Sequence, residues 1–427
     1  MTSLRERAGA LSERPFRLLW LGQTTSAIGD VMVGVALAFA VFQIGGGAAQ
    51  LGLVLASLTV GRTAFVLVGG VWADRLPRRV VMLTCDAIRA VVQSFVAVAL
   101  LAGAAEIWML AVTSFVFGAA SAFFLPAATG LVPQTISAGR LQQANALLAL
   151  SRSSVQVVGP AVSGVIVAAT EPGWVFAIDA LTFVGSAAFL ALLPVAAREP
   201  AARRPFLVEF GEGARAAWSH GWLRAGLALT AVAILGMGAF LVLGPVISQS
   251  ELEGATSWGL ILTAGAIGGL TGGLIALRLR PQRPLVGTFA AWSLSALPAI
   301  ALVPPLPTVL IAVAYGIYQA GIAFGNNMFE TTLQREVPAD LLSRVDSFTW
   351  LVALSLLPIG QALAGPLSDA VGTDTVLVGA AALVVVSCAA GIATPSVRAI
   401  TRATPAAARA SGSADESPPP APPAPLP

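Results

Sequence analysis

The chain has 427 residues, 56% of them hydrophobic and only 11% charged, with a mean hydropathy of +0.84. A soluble domain holds roughly 45–50% apolar and about 25% charged residues, so the composition excludes a soluble globular protein and points to one built into a membrane. All 24 basic residues are arginine. A phosphate-binding loop of the Gly-Lys-Ser/Thr type needs lysine, which excludes an ATP-driven pump contained in this chain.

A hydrocarbon core about 30 Å thick takes about 20 residues of helix. The sequence supplies twelve apolar runs of that order, at 18–42, 51–72, 80–102, 107–128, 144–168, 175–195, 223–248, 258–278, 285–303, 308–329, 347–367 and 375–394. Only helices and closed barrels satisfy their backbone inside lipid, and runs this long predict helices. Arg5, Arg7, Arg14 and Arg17 precede or open the first run. From Phe16 to Ile44 that run exceeds the roughly 7–15 residues of a signal-peptide core and is expected to remain as a span. The expected domains are an amino-terminal stretch 1–17, a six-helix half 18–195, a polar linker 196–222, a second six-helix half 223–395 and a tail 396–427. The tail is rich in Ala, Pro and Ser, has no apolar face to bury, and is expected to be disordered.

Span 1 carries Gln23, Ser26, Asp30 and Gly34 at spacings of three and four, which is one helical face and the pattern of a wet cavity wall. An ionised group at mid-bilayer costs about 2.5–3.5 kcal/mol on insertion scales. Asp30 is therefore either a proton carrier or a structural acid paired with Arg62 of span 2. Arg62 in turn is that partner or a contact for an anionic substrate. The turn after span 2 reads GGVWADRLPRR from Gly69 to Arg79, crowding two glycines, an acid and three arginines between two spans. Beyond it, Asp86 and Arg89 stand three apart on span 3 and are placed to pair. Their nearness to the turn suggests a role in a gate. Arg152, on span 5, is a candidate for facing the cavity. Asp179 on span 6 is either a second proton carrier or the acceptor of a hydrogen bond between helices.

In the linker, Phe206, Phe210, Ala214 and Trp218 recur at helical spacing and predict a helix along the membrane surface. Span 10 places Tyr315, Gln319, Asn326 and Glu330 on roughly one face, with Tyr318 and Asn327 beside it. Amides and aromatics so arranged bind an amphiphile by stacking and hydrogen bonds, or else glue one helix to another. Cys85 and Cys388 fall in different halves and read as small buried residues rather than a disulfide. His220 is the only histidine, and neither a metal site nor a cofactor is expected. Arginine fills the turns on one side, while the opposite turns hold Glu106, Glu171, Glu251, Glu253, Asp369 and Asp374. That bias places both termini in the cytoplasm.

The two halves echo each other. LVPQTISAGRLQQANAL leads into span 5 and LQREVPADLLSRVDSF into span 11, while Gly159-Pro160 answers Gly365-Pro366. After span 8, GGLIALRLRPQR repeats the GGVWADRLPRR turn with Leu277 in place of Asp74. Repeated halves with binding between them are what alternating-access transporters use.

The GGVWADRLPRR turn resembles the signature loop between helices 2 and 3 of the major facilitator superfamily. Gly70, Asp74, Arg75, Arg78 and Arg79 match its pattern, and Pro77 replaces a glycine. Further stretches resemble the drug:proton antiporter and exporter branch: FRLLWLGQTTSAIGD, WVFAIDALTF around Asp179, and GPAVSG at 159–164. The last resembles the antiporter motif of helix 5 through Gly159, Pro160 and Gly164, with Ser163 where a glycine is usual. The arginine often found in helix 4 of that branch is absent. The resemblance implies an all-helical, twelve-span fold, and a gate in which Asp74 meets a helix end of the other half in one conformation only.

The resulting expectation is a secondary transporter of the bacterial cytoplasmic membrane, not an enzyme, exporting a hydrophobic or amphiphilic small molecule against proton entry. Export of a native metabolite such as a siderophore is the alternative, and a non-transporting scaffold or sensor a more distant one. The expected partners are the small-molecule substrate, protons and the lipid bilayer, with no nucleic acid, and the expected state is a monomer.

Overall fold

The computed structural model describes residues 9–194 and 206–402, without the side chains of 66–75, 206–210, 340 and 353–354. Residues 1–8, most of the linker's first part, and the tail beyond 402 lie outside the described residues. The first half contains α1 (Arg14–Gln43), α2 (Ala48–Arg75), α3 (Arg78–Leu101), α4 (Ile107–Leu131), α5 (Leu141–Ala169) and α6 (Pro172–Ala191). The linker contributes α7 (Phe206–Ser219). The second half contains α8 (Gly221–Glu251), α9 (Ala255–Arg278), α10 (Pro284–Trp292), α11 (Ala296–Ile300), α12 (Thr308–Glu336), α13 (Ala339–Ser355), α14 (Leu357–Val371), α15 (Thr373–Ala393) and α16 (Pro395–Arg398). No strand occurs among the described residues.

Eleven of these segments are long and apolar enough to cross a membrane, with α13 and α14 counted together as Leu341–Val371. The twelfth, Pro284–Ile300, is shorter. The sequence predicted an unbroken span at 285–303. A 3-10 turn at Ser293–Ser295 interrupts it instead, because Pro298 has no N–H to give the carbonyl four residues back and its ring crowds that turn. Pro358 breaks α13 from α14 at Leu356 in the same way. The first helix also begins earlier than expected, at Arg14, with Pro15 in its first turn, where a missing N–H costs nothing.

Within the first half, α2 packs on α4, and α6 lies between α1 and α3. Within the second, α9 packs on α12, and α8 on α14 and α15. Consecutive helices α1 and α2 barely touch. The linker helix α7 docks on α13, where Arg344 Nη1 lies 2.5 Å from Glu212 Oε2 and Ala217 is fully buried.

The halves join along two seams, α5 with α9 and α14 with α2. Glycines let the backbones meet there. A Cβ at Gly164 would lie 2.5 Å from the Ala255 carbonyl oxygen, and one at Gly259 would lie 2.5 Å from that of Pro160. On the other seam Gly52 presses on the Gln361 carbonyl and Gly365 on Ala49, and the Thr59 hydroxyl donates to Gln361 Oε1 at 2.9 Å. The repeated Gly-Pro pairs at 159–160 and 365–366 thus mark corresponding places on the two seams. All these contacts fall toward the ends of α2 and α9 that lie away from the linker, so the molecule is closed at that end.

Candidate functional site

The first half holds a buried cluster of charge. Arg89 is eleven residues into the 24-residue α3, about 16 Å along it and so close to mid-span. Its guanidinium is 2% exposed and lies 3.6 Å from Asp30 on α1. It donates to Asp86 Oδ1 at 2.5 Å, one helical turn back on α3. Asp86 also accepts from the Ser186 hydroxyl on α6 at 2.7 Å. The rings of Phe124 and Phe183 cover the guanidinium, 4.2 and 4.3 Å from its carbon, a cation–π arrangement that strengthens where water is absent. One turn further along α3, Gln93 donates to Asp179 Oδ2 on α6 at 2.5 Å, and the Thr182 hydroxyl lies 3.3 Å from Asp179 Oδ1. Asp179 approaches α1 only because residue 29 is glycine: a Cβ there would overlap the carboxylate.

Asp30 differs from the other two acids. Asp86 and Asp179 are sealed, whereas the Asp30 side chain is 36% exposed and helps line a cavity of about 280 Å³ with Gly34, Arg62, Gln93 and Ser114. The pairing expected with Arg62 falls to Arg89 instead. The reason is topological: α2 packs on α4 and scarcely touches α1, while α6 draws α1 and α3 together. Arg62 faces the same cavity without forming an ion pair among the described residues. Asp86 and Arg89 pair as their spacing predicted, but deep in the bundle rather than at the turn. Gln23 and Ser26 do not line this cavity. Both are buried, and Ser26 bonds to the Gln23 carbonyl, because α5 and α6 enclose that part of α1. Arg152 is exposed on α5.

The second half holds a larger, less polar cavity of about 390 Å³. Tyr315, Gln319, Asn326 and Glu330 all line it, as the spacing on span 10 predicted, together with Tyr318. Trp292, Phe329 and Trp350 complete an aromatic wall, with Met237 beside it. Tyr315 stacks on Phe240 at 5.2 Å, and Trp292 Nε1 donates to Asn326 Oδ1 at 3.2 Å. Two carboxylates, Glu330 and Asp346, share the lining, and among the described residues no basic side chain lines it. Asn327 points elsewhere, and its amide donates to the Ala323 carbonyl.

At the turn, the side chains of Gly70, Asp74 and Arg75 lie outside the described residues. Arg78 donates to the Gly130 carbonyl at the end of α4, and Arg79 donates to the Leu190 and Ala191 carbonyls at the end of α6. These arginines satisfy helix carboxyl termini whose last carbonyls have no partner within their own helix. Gly159, Pro160 and Gly164 build the α5–α9 seam, and the Ser163 hydroxyl donates to the Met32 carbonyl at 2.7 Å, tying α5 to α1.

Sequence reasoning missed Gln93, Ser186 and Trp292. Gln93 had a signal, since it continues the face of Asp86 and Arg89 at spacings of three and four. Ser186 and Trp292 had none, because one serine or tryptophan in an apolar run has no period.

These features define a polytopic helical membrane protein of two six-helix halves, with a charged core in one and an aromatic cavity in the other. The chain matches the Major Facilitator Superfamily over residues 19–356, and it belongs to that family. It is 26% identical over 378 residues to the multidrug efflux pump Tap of Mycolicibacterium fortuitum, covering 84% of this chain and 90% of that one. It is 25% identical to macrolide efflux protein A of Streptococcus pyogenes over 373 residues, again 84% and 90%. Among solved structures, a D323A mutant of the nucleoside transporter NupG superposes with a TM-score of 0.72 at 16% identity, covering 89% of this chain and 99% of that one. A bacterial homologue of the iron transporter ferroportin, in its inward-facing state, gives 0.67 at 18% identity with the same coverage. The relatives and the structural neighbours are transporters rather than enzymes.

Proposed function

We propose that this chain is a secondary exporter of hydrophobic or amphiphilic small molecules, driven by proton entry through the Asp30–Arg89 cluster. The observation that carries the reading is the division of labour between the halves. In the first, Asp30 and Asp86 flank one buried guanidinium with Asp179 held by Gln93 a turn away, and of the three acids Asp30 is the one that lines the described cavity. In the second, an aromatic cavity offers stacking surface with carboxylates and, among the described residues, no cation.

Burying uncompensated charge costs several kcal/mol, and a proton arriving on Asp30 removes part of it. Protonation also releases Arg89 from Asp30, leaving the guanidinium to Asp86. The bistable element is then the junction of α1, α3 and α6, whose packing differs between the ion-paired and the protonated form. A ligand shifts such an equilibrium only by its differential affinity for the two states. Each proton entering across 100 mV releases about 2.3 kcal/mol, enough for roughly a fiftyfold gradient of a neutral substrate; one-for-one exchange with a monovalent cation moves no net charge and draws on the pH difference instead.

Asp74, Arg75, Arg78 and Arg79 would form the gate on the linker side, opposite the glycine-packed end that is closed here. The arginine bias of the turns supports a cytoplasmic location for the linker and both termini, in a bacterial cytoplasmic membrane. The names of the two relatives support a drug-like substrate. The Glu330 and Asp346 carboxylates favour a cationic one, against the anionic siderophore alternative.

The test is drug accumulation in cells lacking their own efflux pumps, comparing the native chain with Asp30→Asn, with and without a protonophore. The expected result is lowered accumulation that both the protonophore and the substitution abolish. Export that survives Asp30→Asn would move coupling to another acid and refute the role given to Asp30.

A further inference from the structure

At the linker-side end of the second half lies a cavity of about 370 Å³, separate from both the charged cluster and the aromatic pocket. Leu277 at the end of α9, Arg280 in the turn before α10, Asn327, Thr331 and Arg335 on the last turns of α12, and Arg402 beyond α16 line it. The chain after α16 is fastened across this site: Arg402 N donates to the Gln282 carbonyl at 2.9 Å, and Arg335 Nη2 donates to the Arg402 carbonyl at 3.0 Å. Three arginines thus converge from three separate segments.

None of the three has an ion-pair partner among the described residues, and no described carboxylate lines the cavity. In the corresponding region of the first half, Arg78 and Arg79 are engaged with the carboxyl ends of α4 and α6. Among the described residues nothing comparable occupies Arg280. Guanidiniums gathered around one small space repel each other unless an anion joins them, and their planar forks match phosphate oxygens in pairs.

The surroundings indicate where that phosphate comes from. Leu277, which forms part of the cavity wall, is 70% exposed. Ile267, Leu270, Leu274 and Leu277 are all exposed and recur at spacings of three and four, a single stripe along α9. Ten residues of helix span about 15 Å, half the thickness of the hydrocarbon core. The stripe therefore has the length of one leaflet and ends at the arginines.

We infer that this cavity binds the headgroup phosphate of an anionic phospholipid, with an acyl chain along the exposed stripe of α9. Basic pockets between spans on the cytoplasmic side hold such headgroups. The site is independent of the transport reading and rests on its own residues.

The test uses the full-length protein purified in detergent, titrated with phosphatidylglycerol or phosphatidylcholine and followed by native mass spectrometry. Phosphatidylglycerol is expected to be retained in preference to phosphatidylcholine. The combined Arg280→Gln, Arg335→Gln and Arg402→Gln variant is expected to lose about a hundredfold in affinity for it, from about 1 kcal/mol per arginine. The three corresponding Arg→Lys changes keep the charge but lose the planar forks, and are expected to bind with an affinity between those of the native protein and the Gln variant. Millimolar inorganic phosphate is expected to leave the lipid in place. Equal retention of the two lipids would overturn the inference. So would a folded Gln variant that still holds phosphatidylglycerol, or a Lys variant that loses it as completely as the Gln variant. Displacement by inorganic phosphate would reassign the cavity to a free anion and refute the lipid.

Discussion

The seam between α5 and α9 offers a way to bias the transport cycle without touching either cavity. Replacing Gly164 and Gly259 by alanine adds two methyl groups, each landing 2.5 Å from a carbonyl oxygen of the opposing helix. Carbon atoms of this kind are rarely closer than 3.0 Å and settle near 3.4 Å, so the seam has to open by about 0.5–0.9 Å. Overpacking of this size costs about 1–3 kcal/mol. Because the clash exists only while this end is closed, the cost falls on one conformation and shifts the population by roughly 5- to 150-fold toward the other. Spin labels on cysteines at Glu171 and Glu253, both exposed beside the seam, read the separation by pulsed electron resonance. The native Cys85 and Cys388 are buried and label slowly. Gly269→Ala is the control: a Cβ there meets nothing within 4 Å. The expected result is a distance distribution moved outward in the double variant and unchanged in the control. A double variant with the native distribution would show that the seam yields freely, and would refute the claim that glycine packing sets the closed state.

Arg89→Ala leaves the sealed Asp86 carboxylate without its counter-charge, and breaking a buried pair in this way costs about 3–5 kcal/mol. Its midpoint in a thermal unfolding scan should fall, and adding Asp86→Asn should restore much of it; a single variant as stable as the native protein would contradict the arrangement. The ion pair to Asp30 that the sequence offered to Arg62 is made by Arg89. Trp292→Ala removes an aromatic wall of the larger cavity and frees Asn326 Oδ1. It should weaken binding of an amphiphilic dye by about 1–3 kcal/mol in a fluorescence titration, and an unchanged affinity would argue that substrate sits elsewhere. Asp74→Asn should slow transport while leaving ligand affinity in place, and a large loss of affinity with unchanged turnover would contradict a gate.

The spans were legible because hydropathy needs no partner: a run of apolar residues says how long a helix is whatever it packs against. The line of Tyr315, Gln319, Asn326 and Glu330 was legible for a related reason, since helical period fixes which residues share a face. The partner of Asp30 was not. Depth along the sequence put Arg62 level with it, yet which helices are neighbours depends on packing order, and α6 brings Arg89 to Asp30 instead. The break in the ninth span was encoded by Pro298, and hydropathy averaging passed over it. The opposed roles of Arg78 and Arg280, one holding a helix end and the other without an ion pair among the described residues, depend on where carbonyls lie in space, for which no spacing rule exists.

The central claim is that proton entry through Asp30 drives export. The direct measurement is proton movement in liposomes containing the purified protein and a trapped pH-sensitive dye, started by an outward-directed or inward-directed substrate gradient. Substrate moving down its gradient should drive protons the opposite way in the native protein, and Asp30→Asn should abolish that counterflow while still binding substrate. Substrate flux with no accompanying proton movement, or counterflow undiminished in Asp30→Asn, would contradict the account.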